Sequence, residues 1–488
     1  MKAFGKTIFF VCALAALFSC VRTEEDTPAE RDYYTKKYVN QFAYGAMSVY
    51  YLWVDEIREK LSTWRSDDDP KAKVLEVRYK DASGKDIDRW TQLTDDYETF
   101  IKAVENVSKT YGYEFKLFYA TPDSTYLGAA VEFVYGESPA EKAGLRRGDF
   151  ITEVNGSLIP NPGYQEIVLR QMMGSTSCTL GLSDGRTVSM DAVEMYCDPI
   201  NVSKVFDCNG KKVGYLHFTS FTLNSRADLI KVFSNFKTQG VSELILDLRY
   251  NGGGYVDTEE LIASMLAPGD VVQAGGVYMT EIYNSMLSSA WGEDEGVTKF
   301  RHKFQVGNTV LDTSDSNLGI TKLYVILTGD SASASEALVC GLKPFIDLEI
   351  VGEQSYGKYC TGIIMEAASW YVNYKKSLTD LEYRNGVKYA ANWGIYVMIG
   401  RYADRDGNTA CMPDGFTPDH HVYDNPFDGH QLGDPDESML KAALTLAGYQ
   451  YPEPAAATAA AKKKPATIKG PASPKRESFG VFLRRETI

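Results

Sequence analysis

The sequence predicts a multidomain α/β chain: an N-terminal helical region, a small strand-rich module and a larger α/β core. Three observations carry this. The chain has 488 residues, more than one compact core usually holds. Apolar residues recur at spacings of three and four before about residue 108, and short strands alternate with a marked loop from there to about 195. Between about 200 and 448, apolar strands run into glycine-rich or serine-rich loops, one of them leading straight into a helix. With 44% hydrophobic and 24% charged residues, the composition excludes wholesale disorder, a fibrous repeat and a polytopic membrane protein. A net charge of −14 without a long basic stripe in the body argues against nucleic acid as a partner.

Residues 1–19 read as a signal peptide. Lys2 and Lys6 precede an apolar run from Ile8 to Phe18 that is too short to span a bilayer comfortably, and Ser19-Cys20 follows. The segment resembles a bacterial lipoprotein signal, which implies lipidation of Cys20 and a membrane anchor; plain secretion, with Cys20 discarded or free, is the alternative. Residues 20–29 form a polar tether, and the acidic run Glu24-Glu25-Asp26 is similar to a surface-export signal of Bacteroidetes-type lipoproteins. The expected location is the cell envelope, lipid-anchored to the outer membrane on its periplasmic face or the cell surface. At the other end, residues 449–488 are rich in Ala, Pro and Lys, with eight Lys/Arg against three Glu, and predict a disordered basic tail.

In residues 30–108, the stretch Tyr38 to Ile57 is aromatic and apolar at helical spacing. Tyr97, Phe100, Ile101, Val104 and Val107 mark a second amphipathic helix behind Thr94 as N-cap. In residues 109–195, Ser138-Pro139-Ala140 opens a short helix that Gly144 stops, and a strand from Phe150 closes in an Asn155-Gly156 turn. Six cysteines remain beyond Cys12 and Cys20, with no metal-ligand spacing. Cys197 with Cys208 and Cys360 with Cys411 are candidate bridges; buried free thiols are the alternative. No metal or cofactor is expected.

Residues 200–448 carry the chemistry. The apolar strand Val241 to Leu248 ends in Asp247-Leu-Arg249-Tyr-Asn251-Gly252-Gly253-Gly254, where glycines let backbone amides point at a ligand. No Gly-Lys-Ser/Thr follows, so a phosphate loop is a poor reading. A second strand, Lys322 to Thr328, runs into Ser331-Ala-Ser333-Ala-Ser335-Glu336 and a helix over 337–342. Free amides and the positive end of the dipole meet at such a helix start, although serines there are commonly caps. A third strand, Leu348 to Gly352, leads to Gly357-Lys358, twenty-five residues after Ser333. A lysine can serve as base to a serine hydroxyl only where burial keeps its amine neutral. His217 lies in an apolar strand, and no GxSxG elbow supports a Ser-His-Asp arrangement.

The pieces DLRYNGGG, SASASE and VGEQSYGK, in that order behind the run GESPAEKAGLRRGDFI, resemble the C-terminal-processing peptidases, or tail-specific proteases, over about residues 110–425. The resemblance implies a PDZ-like domain at 109–195 and a ClpP/crotonase-like α/β protease core at 200–448. It implies Ser333 as nucleophile and Lys358 as base. The oxyanion donors would be the amide of Ala334 and one from the glycine run, Gly254 ahead of Gly253. It also implies a peptide groove whose carboxylate loop is Tyr111-Gly112-Tyr113, so the partners are polypeptides with free C-termini. Many members orient the lysine with a glutamine four residues on, where this chain has Gly362; Glu336 is the candidate replacement. The run Asp414 to Asp419 resembles the family's closing GxxPD element. Residues 268–318 exceed the usual connection and suggest a lid or partner surface. A catalytically silent peptide-binding lipoprotein is the second reading, and acyl-CoA chemistry on the related crotonase fold the third. The sequence leaves the oligomeric state open.

Overall fold

The computed structural model describes residues 26–121, 123–451 and the pair Phe482–Leu483. The expectations for the signal peptide, Cys20 and most of the basic tail fall outside the described residues.

The first helix, Pro28–Tyr50, begins where proline suits the first turn, and Thr27 and Glu30 cap it reciprocally. It starts ten residues before the predicted stretch and ends short of Trp53 and Ile57, which lie in the turns that follow. Its buried face, with Tyr38, Phe42 and Met47, packs against Tyr371, Ile395 and Val397. The second amphipathic helix is Tyr97–Val104, and its N-cap is Asp96, whose carboxylate accepts the Thr99 N–H. Thr94 instead accepts the Asp96 N–H, and Val107 belongs to a strand, Val107–Thr110, paired with Val193–Tyr196.

The module that follows is a six-stranded antiparallel sheet built from Tyr113–Tyr119, Tyr126–Val134, Phe150–Val154, Ser157–Pro160, Ser177–Leu182 and Thr187–Asp191. Ser138 caps the short helix Pro139–Lys142 as predicted, and Asn155 and Gly156 turn the chain with φ of 51° and 77°.

The core sheet orders Ile200–Cys208, Lys211–Phe218, Val241–Asp247, Lys322–Leu327, Asp347–Gly352 and His420–His421. Only its first pair is antiparallel. Parallel strands are covered on both faces, which is why Leu244, Ile245, Leu246, Val325 and Ile326 read as unbroken apolar runs and are fully buried. Helices Arg226–Thr238 and Ala334–Leu342 make two of the crossovers. A second sheet lies alongside, with Gly254–Tyr255, Phe482–Leu483, Cys360–Glu366, Gly394–Asp404, Val277–Tyr283 and Val297–Lys299 in order. Loops at the carboxyl ends of the parallel strands therefore face this second sheet, the usual place for a site in such folds.

The structure bears on two points that the sequence leaves open. Within residues 268–318, Val277–Tyr283 is woven into the second sheet against Gly394–Asp404 and so belongs to the body rather than to a lid or partner surface, while Lys303–Val306 with Thr309–Asp312 makes a hairpin. Cys197–Cys208 and Cys360–Cys411 are not bridged, and the alternative of buried free thiols holds: Cys178, Cys197, Cys208, Cys340, Cys360 and Cys411 are all free and buried.

The strand-rich module and the core meet at a buried ionic knot. Arg147 of the module donates to Asp424 at 2.6 Å, to Glu437 at 3.4 Å and to the Tyr250 hydroxyl at 2.8 Å. Arg249 of the core pairs with Asp247, Asp424 and Glu437 in the same cluster. The two guanidinium groups hold the Asp424 carboxyl far below its ordinary value despite burial.

Candidate active site

After Asp247 the chain leaves the sheet into the glycine run, and Asn251 organises that run. Its Oδ1 accepts the Gly253 N–H at 2.9 Å, and its Nδ2 donates to the Phe218 carbonyl at 2.9 Å. Its own carbonyl accepts from the Ala332 N–H at 3.0 Å and the Ser335 hydroxyl at 2.9 Å, which clasps the glycine run to the serine loop. Gly253 and Gly254 have φ of 112° and 146°, open to glycine and strained for other residues. A Cβ on Gly253 would stand 2.8 Å from Ser333 Cβ and 3.1 Å from the Ala334 nitrogen, so the run passes directly against the serine turn.

Three serines compete in that turn, and hydrogen bonding separates them. Ser331 Oγ donates to the Leu248 carbonyl at 2.8 Å and accepts from Thr328 N–H; Ser335 Oγ is spent on Asn251. Ser333 Oγ is buried and hydrogen-bonds to nothing. Its backbone is strained, with φ 60° and ψ −112°, at the cap of helix Ala334–Leu342. Ala334 is the first residue of that helix, where an N–H has no acceptor within the helix.

Glu336 does not touch the lysine amine. Its carboxylate accepts the N–H of Ser333 at 3.1 Å, of Gly357 at 2.7 Å and of Lys358 at 2.8 Å, with the Ser355 hydroxyl at 2.5 Å. It therefore ties the serine-bearing backbone to the lysine-bearing one, and its expected part in orienting the amine is corrected to one in fixing the main chain. Burial raises its pKa against these four donors. Tyr402 adds a second tie, donating to the Lys358 carbonyl at 2.6 Å, with the Ser333 carbonyl at 3.4 Å.

The Lys358 side chain is fully buried. Its amine lies 5.7 Å from the centre of the Trp90 ring and 4.8 Å from that of Tyr396, and donates to the Tyr396 hydroxyl at 2.8 Å. Desolvation lowers its pKa from 10.5 to about 7, against weaker opposing fields from Cys360, Asp88 and Glu336. The amine and the Ser333 hydroxyl make no hydrogen bond to each other. The site thus joins an unpartnered hydroxyl, an amine whose pKa burial brings down to about 7, and amide donors at a helix start.

Elsewhere the predicted groups take quieter places. His217 is buried edge-on to Phe133 and Tyr250, and desolvation holds its pKa at about 4. The Tyr111 and Tyr113 rings pack in the core of the strand-rich module, and the Gly112 N–H donates to Thr110 Oγ1 at 3.1 Å. Among the described residues, no cluster of three His, Cys, Asp or Glu side chains could hold a metal ion. Tyr396, Tyr402 and the clasp by Asn251 were not singled out from sequence. Asn251 lies within the run DLRYNGGG; the two tyrosines sit in an apolar strand with nothing local to mark them.

Residues 212–422 match the model of peptidase family S41, and residues 131–173 match that of a PDZ domain. A carboxyl-terminal-processing protease of Picosynechococcus sp. is 29% identical over 318 residues, 63% of this chain and 64% of that protein. A probable CtpA-like serine protease of Staphylococcus aureus is 25% identical over 224 residues, 45% of this chain and 40% of that protein. The chain thus spans less than two thirds of the length of these relatives. The crystal structure of a putative S41 protease from Bacteroides fragilis shares the fold: TM-score 0.63 at 21% identity, covering 83% of this chain and 96% of that one.

Proposed function

We propose, from the match of residues 212–422 to peptidase family S41 and the likeness to carboxyl-terminal-processing proteases, that the chain is an exported, lipid-anchored serine endopeptidase that takes unstructured polypeptide C-termini and cuts near them. One observation carries the reading. Of three serines in the turn, Ser333 alone has an uncommitted hydroxyl, on a strained backbone that a single carboxylate ties to that of a buried lysine whose pKa desolvation lowers to about 7.

In the proposed reaction Ser333 Oγ attacks the scissile carbonyl and Lys358 accepts its proton. The amide of Ala334 and that of Gly254 receive the developing oxyanion. Gly253 is the poorer donor, because its N–H is already given to Asn251. Protonated Lys358 then releases the amine, and water hydrolyses the acyl-enzyme. Contacts of this kind tighten when substrate arrives, so the open hydroxyl–amine pair is compatible with the mechanism. The PDZ module would present the substrate tail by strand addition. Because Gly112 and its tyrosines are engaged within the module, a carboxylate-capping loop there needs a rearrangement.

Ser333→Ala is expected to abolish hydrolysis of a peptide with a free C-terminus while leaving the circular-dichroism spectrum unchanged. Full residual activity refutes the assignment. The open hydroxyl–amine pair also motivates the second reading, a catalytically silent peptide-binding lipoprotein. Labelling of Ser333 by a serine-reactive phosphonate separates the two, because a silent protein does not label.

A further inference from the structure

We propose that Tyr396 is the positioning residue for Lys358 and that Gly362 is glycine to make room for it. This rests on the peptidase reading for its consequence in catalysis, but not for its geometry.

The two residues sit diagonally on neighbouring antiparallel strands, since Ile364 is opposite Tyr396 in the ladder and Gly362 is two positions away on the same face. A Cβ at Gly362 would stand 2.4 Å from Tyr396 Cε2, 2.5 Å from Met398 Cε and 2.7 Å from Tyr396 Cζ, so a side chain there would require the ring and the methionine methyl to shift. Gly362 has no left-handed backbone to explain its presence. The reason for glycine there is spatial: the phenol ring and, beside it, the flexible Met398 methyl fill the space a Cβ would take, and of the two only the ring is a rigid obstacle. Phe100 meets the ring at 6.4 Å between centres. The hydroxyl so placed accepts from the Lys358 amine at 2.8 Å.

A neutral amine has two N–H groups and one lone pair. Anchoring one N–H on a fixed phenol oxygen, with the electron-rich faces of Trp90 and Tyr396 on its flanks, restricts where the lone pair can point. Glu336 and Tyr402 fix the main chain of Lys358, and Tyr396 fixes its tip. A side chain extending from position 362 would occupy the volume now held by the ring, so the two solutions exclude each other.

The test compares wild type, Tyr396→Phe, Tyr396→Ala and the exchange Gly362→Gln/Tyr396→Ala, as full-length proteins with unfolding curves recorded for each. In Tyr396→Phe, kcat for peptide hydrolysis is expected to fall roughly tenfold to a hundredfold, with KM within about twofold, as for a catalytic group left misdirected. The titration midpoint of Lys358 is expected to fall, since the ammonium loses an acceptor. It is read from the 13Cε signal of lysine-labelled protein, assigned by its absence in Lys358→Met. The exchange is expected to recover part of the activity lost in Tyr396→Ala. A wild-type midpoint and kcat in Tyr396→Phe overturn the proposal, and an exchange no better than Tyr396→Ala overturns the spatial account of Gly362. A lowered midpoint in a protein that neither hydrolyses peptides nor labels at Ser333 supports Tyr396 as the lysine's anchor while ending the peptidase reading.

Discussion

Burying Lys358 without a carboxylate partner on its amine should leave a large, pH-dependent mark on stability. The perturbation is Lys358→Met, which keeps the apolar stem and removes the titrating group. In the unfolded chain the amine titrates near its ordinary 10.5, whereas in the folded site it titrates at about 7. A lowered lysine pKa means that between these values the unfolded state binds more protons, so wild-type stability rises with pH across that window and is flat below it. At about 1.4 kcal/mol per pH unit, the full difference is about 5 kcal/mol. The variant has no such dependence. Its advantage over wild type should be largest, several kcal/mol, at and below pH 7, shrink steadily above that, and vanish near pH 10.5. Urea unfolding of both proteins at pH 6, 7.5 and 9 measures the gap between the curves. Parallel curves with a constant offset would mean that the amine titrates normally, and the reasoning from burial would fail.

The same amine sets the rate. If its neutral form is the base, kcat/KM rises as pH passes upward through about 7 and at pH 6 is about a tenth of the plateau; a flat profile from pH 5.5 to 9 contradicts this. Glu336→Gln replaces an acceptor of four donors with an amide that accepts at one atom only. It should cost about 2–4 kcal/mol in denaturant unfolding and lower kcat as the serine and lysine backbones part. Arg147→Met leaves Asp424 and Glu437 sharing Arg249 alone, and should destabilise the protein by about 3–5 kcal/mol. A loss under about 1 kcal/mol would show that water relaxes the site.

Much of this fold was legible because its signals are local. The glycine run, the serine turn and Gly357-Lys358 each follow an apolar strand, so periodicity and punctuation placed them in order before any geometry was known. The short helix behind Ser138 and the Asn155-Gly156 turn came out as read, for the same reason. Local signals also misled. Thr94 and Asp96 both suit an N-cap, and only the backbone shows that the Asp96 carboxylate reaches the Thr99 N–H. Glu336 stands one helical turn from Ser333, a spacing that does not distinguish a tie between main chains from a contact with the amine. Tyr396 was out of reach. It meets Lys358 only through an antiparallel pairing interrupted by a bulge between Thr361 and Gly362. The strand Val277–Tyr283 escaped likewise, because its partner, Gly394–Asp404, lies more than a hundred residues further on.

The ionic knot around Arg147 determines how the two lobes can come apart. Two guanidinium groups and three carboxylates share one dry seam, and none can be hydrated without stranding the others. Parting the module from the core therefore exposes several mutually dependent charges together, which couples the module to the core more tightly than its own separate sheet would suggest.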